Sequence, residues 1–299
     1  MYEVIDCTSW NEWDGMSEGS GRSEKEWLVS PAGRTSLFKY PKSADTTEHV
    51  SEHLACQIGK LIEIETAEVD LGFRNGRTGS VSYIINNSHQ DLVEGIWFIS
   101  RQYPGFVPDL LIDKESGQYY CLDMIEASLG EIPHQYALVE MLLFDFLIGN
   151  TDRHQSNWAI LVETSEPRAD ATCFCPLYDN GSSLCCYVTE AQIDHIKHHD
   201  IAAINALTDT KSRSRIRIDG THAKSPTHRE MAGYVLRNYS CAAAVARRIL
   251  DRMTKDAIMN LLVQYPATVL SEDRRAVICA FLERKVEILR ELLIDSGGR

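Results

Sequence analysis

The amino-acid sequence predicts an α+β protein in two lobes, a strand-rich N-lobe followed by a helical C-lobe. Three observations carry that reading. Short apolar runs bounded by turn residues are concentrated in the N-terminal third, helical periodicity dominates the remainder, and the segment 133–148 is apolar on nearly every face, as a helix buried inside a lobe must be. A chain of 299 residues is long enough for two lobes that each bury a core without disulfide or metal staples. No repeat, low-complexity tract or long linker interrupts it, so the division follows element content, with 1–95 as the strand-rich lobe and 96–299 as the helical one.

The elements are read in order. Residues 12–24 are polar and rich in Gly and Ser, including Gly15, Ser17, Gly19, Ser20, Gly21 and Ser23. Strands over 26–30 and 35–40 follow, joined as a hairpin by Pro31-Ala32-Gly33. Asp45-Thr46-Thr47 supplies capping side chains for a helix from Glu48 to about Leu61, in which Val50, Leu54, Ile58 and Leu61 recur at helical spacing and Lys60 suits the C-terminal end of the dipole. Strands over 67–73 and 78–85 flank Asn75-Gly76, a hairpin turn signal. Turn residues fill 102–117, and the lobe boundary falls within 86–105. The buried helix 133–148 stops at Gly149. Strands over 158–163 and 172–178 are joined by the polar turn 164–170, and beyond Gly181 the chain reads as helical to its end, apart from a mobile polar stretch over 208–228.

Charge and cysteine usage narrow the function classes. Thirty Lys and Arg against 43 Asp and Glu give a net charge of −13, with 44% hydrophobic residues. That apolar content disfavours disorder, and the acidity repels phosphate, so direct nucleic-acid binding is not expected. No basic start leads into an apolar run and no stretch is long enough to cross a bilayer, so neither secretion nor membrane insertion is expected. Nine scattered cysteines, an odd number, read as reduced thiols of a cytoplasmic protein. Cys173 and Cys175 are one residue apart and Cys185 and Cys186 adjacent, unlike the two-residue gap of a zinc knuckle. His195, His198 and His199 lack the Glu that a hydrolytic zinc helix places between its histidines.

One constellation has no folding rationale. Directly after Gly149 comes Asn150-Thr151-Asp152-Arg153-His154-Gln155-Ser156-Asn157, and Asp179 follows the next strand pair in Tyr178-Asp179-Asn180-Gly181. An acid, an Asn five residues on, a strand pair and a second acid near Gly form the order that phosphoryl transfer on the kinase plan requires. A Mg²⁺-bound triphosphate concentrates negative charge, so hard oxygen ligands must hold the metal, here Asn157 and Asp179, while Asp152 orients the attacking hydroxyl and accepts its proton. A cation over the phosphates is supplied by Lys39, and a covering loop by residues 15–24. An acid on the next helix to pair with Lys39 is either Glu48 or Glu52, one turn apart, of which Glu48 is favoured. The basic run Lys211, Arg213, Arg215 and Arg217 reads as a solvated loop, with a substrate or nucleotide-tail contact as the alternative.

The string from Leu147 to Asn157, with Tyr178-Asp179 downstream, resembles the catalytic loop and metal-binding turn of the HipA-like Ser/Thr kinases, toxin components of bacterial toxin–antitoxin pairs. Gly19-Ser20-Gly21-Arg22-Ser23-Glu24-Lys25, followed by Leu37-Phe38-Lys39, is similar to that family's nucleotide loop and Lys strand. The resemblance spans 15–185. It implies a bilobal protein-kinase-like fold related to lipid kinases, ATP and Mg²⁺ as cofactors, and transfer of the γ-phosphoryl group to a Ser or Thr of a protein. Asp152 would be the base, Asn157 and Asp179 the metal ligands, and Lys39 the phosphate contact. It further implies a growth-inhibiting role on a translation protein such as an aminoacyl-tRNA synthetase, autophosphorylation at Ser17, Ser20 or Ser23, and a helix-turn-helix antitoxin as partner. The chain is expected to begin at this loop, without the extra N-terminal subdomain of the longer toxins. Other readings of the same residues are a pseudokinase or nucleotide-binding adaptor, and a small-molecule or lipid kinase.

Overall fold

The computed structural model describes residues 1–13, 24–43, 45–164, 171–196 and 201–297. Its first layer is a six-stranded sheet built from β1 (Val4–Asp6), β2 (Asn11–Glu12), β3 (Lys25–Val29), β4 (Thr35–Lys39), β5 (Val69–Arg74) and β6 (Arg77–Tyr83), in the order β1-β5-β6-β4-β3-β2. All neighbours are antiparallel except β1 and β5. Helix α1 (Glu48–Ile62) crosses between β4 and β5. The β5–β6 turn holds Asn75 at φ 51° and Gly76 at φ 77°, the left-handed pair a tight hairpin demands. Leu28, Phe38, Tyr40, Val81 and Tyr83 form a small core with Cys7 and Trp10.

Two strands therefore precede the glycine-rich segment, which the sequence reading took as the start of the fold. Their shortness explains why: three and two residues give no alternation to read. Strand β7 (Gln90–Glu94), five residues long, was missed for another reason: Gln, Asp and Glu occupy three of its positions and leave no apolar alternation, and it falls within the expected lobe boundary 86–105. It pairs antiparallel with β10 (Ala159–Glu163), which also pairs with β11 (Thr172–Phe174), a strand that stops short of the expected 178. Between β7 and β10 lie α2 (Gly95–Gln102), the two-residue strands β8 (Phe106–Val107) and β9 (Ile112–Asp113), α3 (Leu122–Leu129) and α4 (Gln135–Ile148).

Helix α4 is the axis of the helical part. Leu138, Val139 and every residue from Met141 to Ile148 are buried, so the all-round apolar pattern reports burial on all sides. Around it pack α7 (His228–Asn238), α8 (Ala242–Arg252) and α10 (Glu272–Asp295), with α5 (Glu190–Ile196), α6 (Ile201–Asn205), a π-helical turn over Ala206–Thr210 and α9 (Lys255–Leu262) completing the chain. Val50, Leu54 and Ile58 of α1 belong to the same apolar cluster as α4 and α10, so one continuous core joins the sheet's helix to the helical part. Among the described residues no helix is long and apolar enough to cross a membrane. The polar stretch after the π-helical turn, read as mobile, is tied down by bridges from Arg213 to Thr227 and from Arg217 to Cys121.

Lys285 of α10 is wholly buried among Phe146, Phe281, Ser212 and His228. Its Nζ donates to Ser212 Oγ at 2.9 Å, and burial pushes its pKa down to about 7, against the charges of Cys185 and Asp209. Between about pH 7 and the ordinary Lys value of 10.5 the unfolded chain thus holds a proton that the folded chain does not, so stability rises with pH across that window. Lys285→Met is expected to stabilise the protein by ~1–4 kcal/mol at pH 6. Urea denaturation from pH 6 to 9 should show that gain shrinking as pH rises.

Candidate active site

Helix α4 ends because Gly149 turns left-handed, at φ 68°, and its amide donates to Asp145 O. A side chain would fail there twice, since a Cβ on Gly149 would also sit 2.8 Å from Phe281. The reversal throws residues 150–157 out of the core as a loop, and one residue organises that loop. Arg153 is fully buried with six bonds: Nε to Asp145 Oδ2 (3.0 Å) and Oδ1 (3.3 Å), Nη2 to Asp145 Oδ1 (2.8 Å) and to Asn180 Oδ1 (2.7 Å), and Nη1 to the carbonyls of Asn157 and Tyr178 (both 2.7 Å). The guanidinium is planar and carries five donors in a fixed fork, so it locks both the loop and the Tyr178–Asn180 turn to α4. Sequence reasoning gave Arg153 no role. The available signal was Asp145, an acid inside an otherwise apolar helix, which burial permits only with a partner.

Within the loop, Asn157 Nδ2 donates to Asp152 O at 2.8 Å. Only the nitrogen can donate to a carbonyl, so the amide orientation is settled and its oxygen remains as the acceptor. The Asp152 carboxylate meets Arg215, whose Nε and Nη2 lie 3.3 Å from Oδ1. Arg215 is exposed, as the solvated reading has it, and in addition contacts the predicted base.

On the opposite wall stands Lys39, the last residue of β4, held in register against Lys25 of β3 and Ser80 of β6. Its Nζ donates to Asp179 Oδ1 at 2.7 Å. Burial works to lower the Lys39 pKa, but the charges of Asp179 and Glu52 outweigh it and leave the ammonium fixed. Lys39 in turn holds the Asp179 carboxyl down at about 2, against burial. Asp179 sits at φ 55°, a left-handed conformation that costs a non-glycine residue of order 1–3 kcal/mol.

Of the two candidate acids of α1, Glu52 is the one whose charge acts on Lys39, although the direct carboxylate partner of Lys39 is Asp179. Glu52 is 2% exposed, accepts Asn180 N–H at 2.8 Å and lies 3.0 Å from where a Cβ on Gly181 would be, so it ties the Lys39 wall to the Asp179 turn. Burial raises its pKa, with Lys39 opposing. Glu48, the favoured acid, lines the same cleft one turn nearer the helix start, with both carboxylate oxygens buried and without a hydrogen-bond partner among the described residues. Glu52→Gln is expected to lower phosphoryl transfer by ~10–100-fold, the worth of a charge-assisted contact, and Glu48→Gln by less. Parallel transfer assays on the two variants check the order.

Lys39, Glu48, Glu52, Asp152 and Asp179 line one cleft, with Lys42 beside them. Of the other predicted cofactor contacts, Ser17, Gly19, Ser20, Gly21 and Ser23 lie outside the described residues, as do Arg22, His198 and His199. Among the described residues no group of three or more His, Cys, Asp or Glu forms a metal cage. The groups lining the cleft nevertheless fit a magnesium nucleotide, in which phosphate oxygens and water complete the coordination: an ionised Asp179, the cation of Lys39 and the unpartnered carboxylate of Glu48, while Asn157, tied to Asp152 O, is not among the residues lining it.

No protein-family model and no curated protein matches the chain. Solved structures do. The Helicobacter pylori proinflammatory kinase CtkA is similar with a TM-score of 0.81 at 18% identity, covering 98% of this chain and 99% of that one. HipA of Shewanella oneidensis MR-1, solved with HipB and its operator DNA, is similar with a TM-score of 0.58 at 14% identity, covering 93% of this chain and 66% of that one. The fold is therefore the bilobal kinase-like fold of these two proteins, in agreement with the HipA-like resemblance read from residues 15–185.

Proposed function

We propose that this chain is an ATP- and Mg²⁺-dependent Ser/Thr protein kinase of HipA-like type. One observation carries the reading: Lys39, Asp179 and Glu52, from three separate elements, converge on the cleft that Asp152 enters from the loop locked by Arg153. A structural ion pair would not need the strained Asp179 turn or a buried acid left without a partner.

In this reading Asp179 and Asn157 hold the metal and Lys39 contacts the phosphates. Bound Mg²⁺ supplies the charge that neutralises the phosphate oxygens. Asp152 aligns the acceptor hydroxyl, whose oxygen bonds to the γ-phosphorus as its bond to the bridging oxygen of ADP breaks, and the hydroxyl proton passes to the Asp152 carboxylate. Arg215 must yield its contact with Asp152 for the hydroxyl to enter. The acceptor proposed is a protein, an aminoacyl-tRNA synthetase being the candidate from the resemblance, with autophosphorylation among Ser17, Ser20 and Ser23 and a helix-turn-helix antitoxin as partner in the cytoplasm. The HipB in the HipA structure supports the last point by analogy of fold alone. The test is transfer of radiolabel from γ-labelled ATP. Label on neither the chain nor any protein of a lysate, with Asp152→Ala indistinguishable from wild type, would sink the proposal.

A further inference from the structure

The segment between the π-helical turn and α7 places Lys211, Arg213, Arg215 and Arg217 at alternate positions, an accumulation of positive charge in a chain of net charge −13. It is a held backbone. Ser214 N–H donates to Pro226 O at 3.0 Å and Arg217 N–H to Tyr120 O at 3.1 Å. Ser212, Ser214 and Ile216 are buried, while Arg215 is exposed and reaches Asp152. Arg213 and Arg217 stand two residues to either side of the arginine that touches the base.

Arg213 and Arg217 line a pocket that also receives Lys224 and Arg237. Its two acids are already committed. Glu230 Oε2 accepts Thr227 N–H in the capping box of α7, and Asp219 accepts from the hydroxyl and amide of Thr221, which with His222 hold it ionised down to about 2. None of the four cations has a carboxylate ion-pair partner among the described residues. Arg217 is the informative one. It is 9% exposed, lies over the Tyr119 ring at 4.7 Å, and gives Nε and Nη2 to Ala223 O at 3.0 and 2.8 Å, yet its Nη1 is buried with no partner. A buried guanidinium donor left unsatisfied is costly, and an anionic oxygen is the group that satisfies it best.

We propose that this pocket seats an anionic side chain, phosphorylated or carboxylate, of the acceptor polypeptide, so that Ser or Thr residues flanked by such groups are preferred. The proposal rests on the reading of Asp152 as the base, but its binding step is measurable without turnover. Three fluorescent peptides of one length, bearing phosphoserine, Glu or Gln beside a fixed Ser, are titrated with the full chain. The phosphoserine and Glu peptides are expected to bind about tenfold or more tighter than the Gln peptide, the worth of one charge-assisted contact, and their ratio shows which anion the pocket prefers. Arg217→Gln should erase that difference. Lys224→Gln/Arg237→Gln, two exposed positions, should reduce it even if the buried substitution unfolds the chain. Equal binding of all three peptides, or tighter binding of a single-stranded RNA than of either anionic peptide, overturns the proposal. Preferential binding without phosphorylation of any peptide upholds the pocket and overturns the kinase reading instead.

Discussion

Asp152→Ala is expected to lower phosphoryl transfer by ~10²–10⁴-fold, the range for removing a positioned general base, while Mg-ATP still binds. Asp152 contacts Arg215 and not Lys39, so its loss leaves the Lys39–Asp179–Glu52 wall intact. Asp179→Ala should behave differently. It removes the anion that holds Lys39 in place, and Lys39 then faces Glu52 alone. Transfer and Mg-ATP affinity are both expected to fall, and calorimetric titration of the two variants separates a base from a metal ligand. Normal Mg-ATP affinity in Asp179→Ala would remove Asp179 from the metal site. The Asp179 carboxyl, held below its ordinary 3.8 at about 2, contributes stability that is present above pH 3.8 and lost as pH falls through about 2. That acid-side term should be missing from the stability profile of Asp179→Ala.

Arg153→Met is expected to destabilise the fold by ~3–5 kcal/mol, because it strands Asp145 as an uncompensated charge in the core. Burial raises the Asp145 pKa, and the Arg153 charge and hydrogen bonds are what oppose it. The double variant Asp145→Leu/Arg153→Met should regain most of that stability in urea, since two apolar groups replace a buried pair. It should not regain transfer. The carbonyls of Asn157 and Tyr178 and the side chain of Asn180 lose their common donor, and the loop bearing Asp152 is no longer tied to the turn bearing Asp179. Arg153→Lys should fail as well, because an ammonium cannot point five donors along these directions. Recovery of transfer together with stability in the double variant would reduce Arg153 to a core-filling residue.

Local pattern made much of this protein legible. The hairpins at Gly33 and Asn75-Gly76, helix α1 and the buried α4 with its Gly149 stop lie within a residue or two of where turn chemistry and periodicity place them, because each signal is contained within a few neighbouring residues. Lys39, Asp152 and Asp179 could be picked out because their residue types and order match a chemical requirement. Short strands could not. β1 and β2 have too few residues to show a period and β7 is too polar to show one, and each exists through a partner distant in sequence, as when Val4 pairs with Leu71.

By itself, then, the sequence determined the order of most elements and the apolar axis of the helical part, and it singled out the groups proposed for phosphoryl chemistry. Tertiary structure alone decided how those groups are paired: Glu52 on the Asn180 amide, Arg153 as the common donor for loop and turn, Arg215 against Asp152, and Lys39 on Asp179, 140 positions away. The reason is physical. Two acids one helical turn apart have the same local propensity, and a buried charge accepts only the partner that the surrounding packing brings within hydrogen-bond distance.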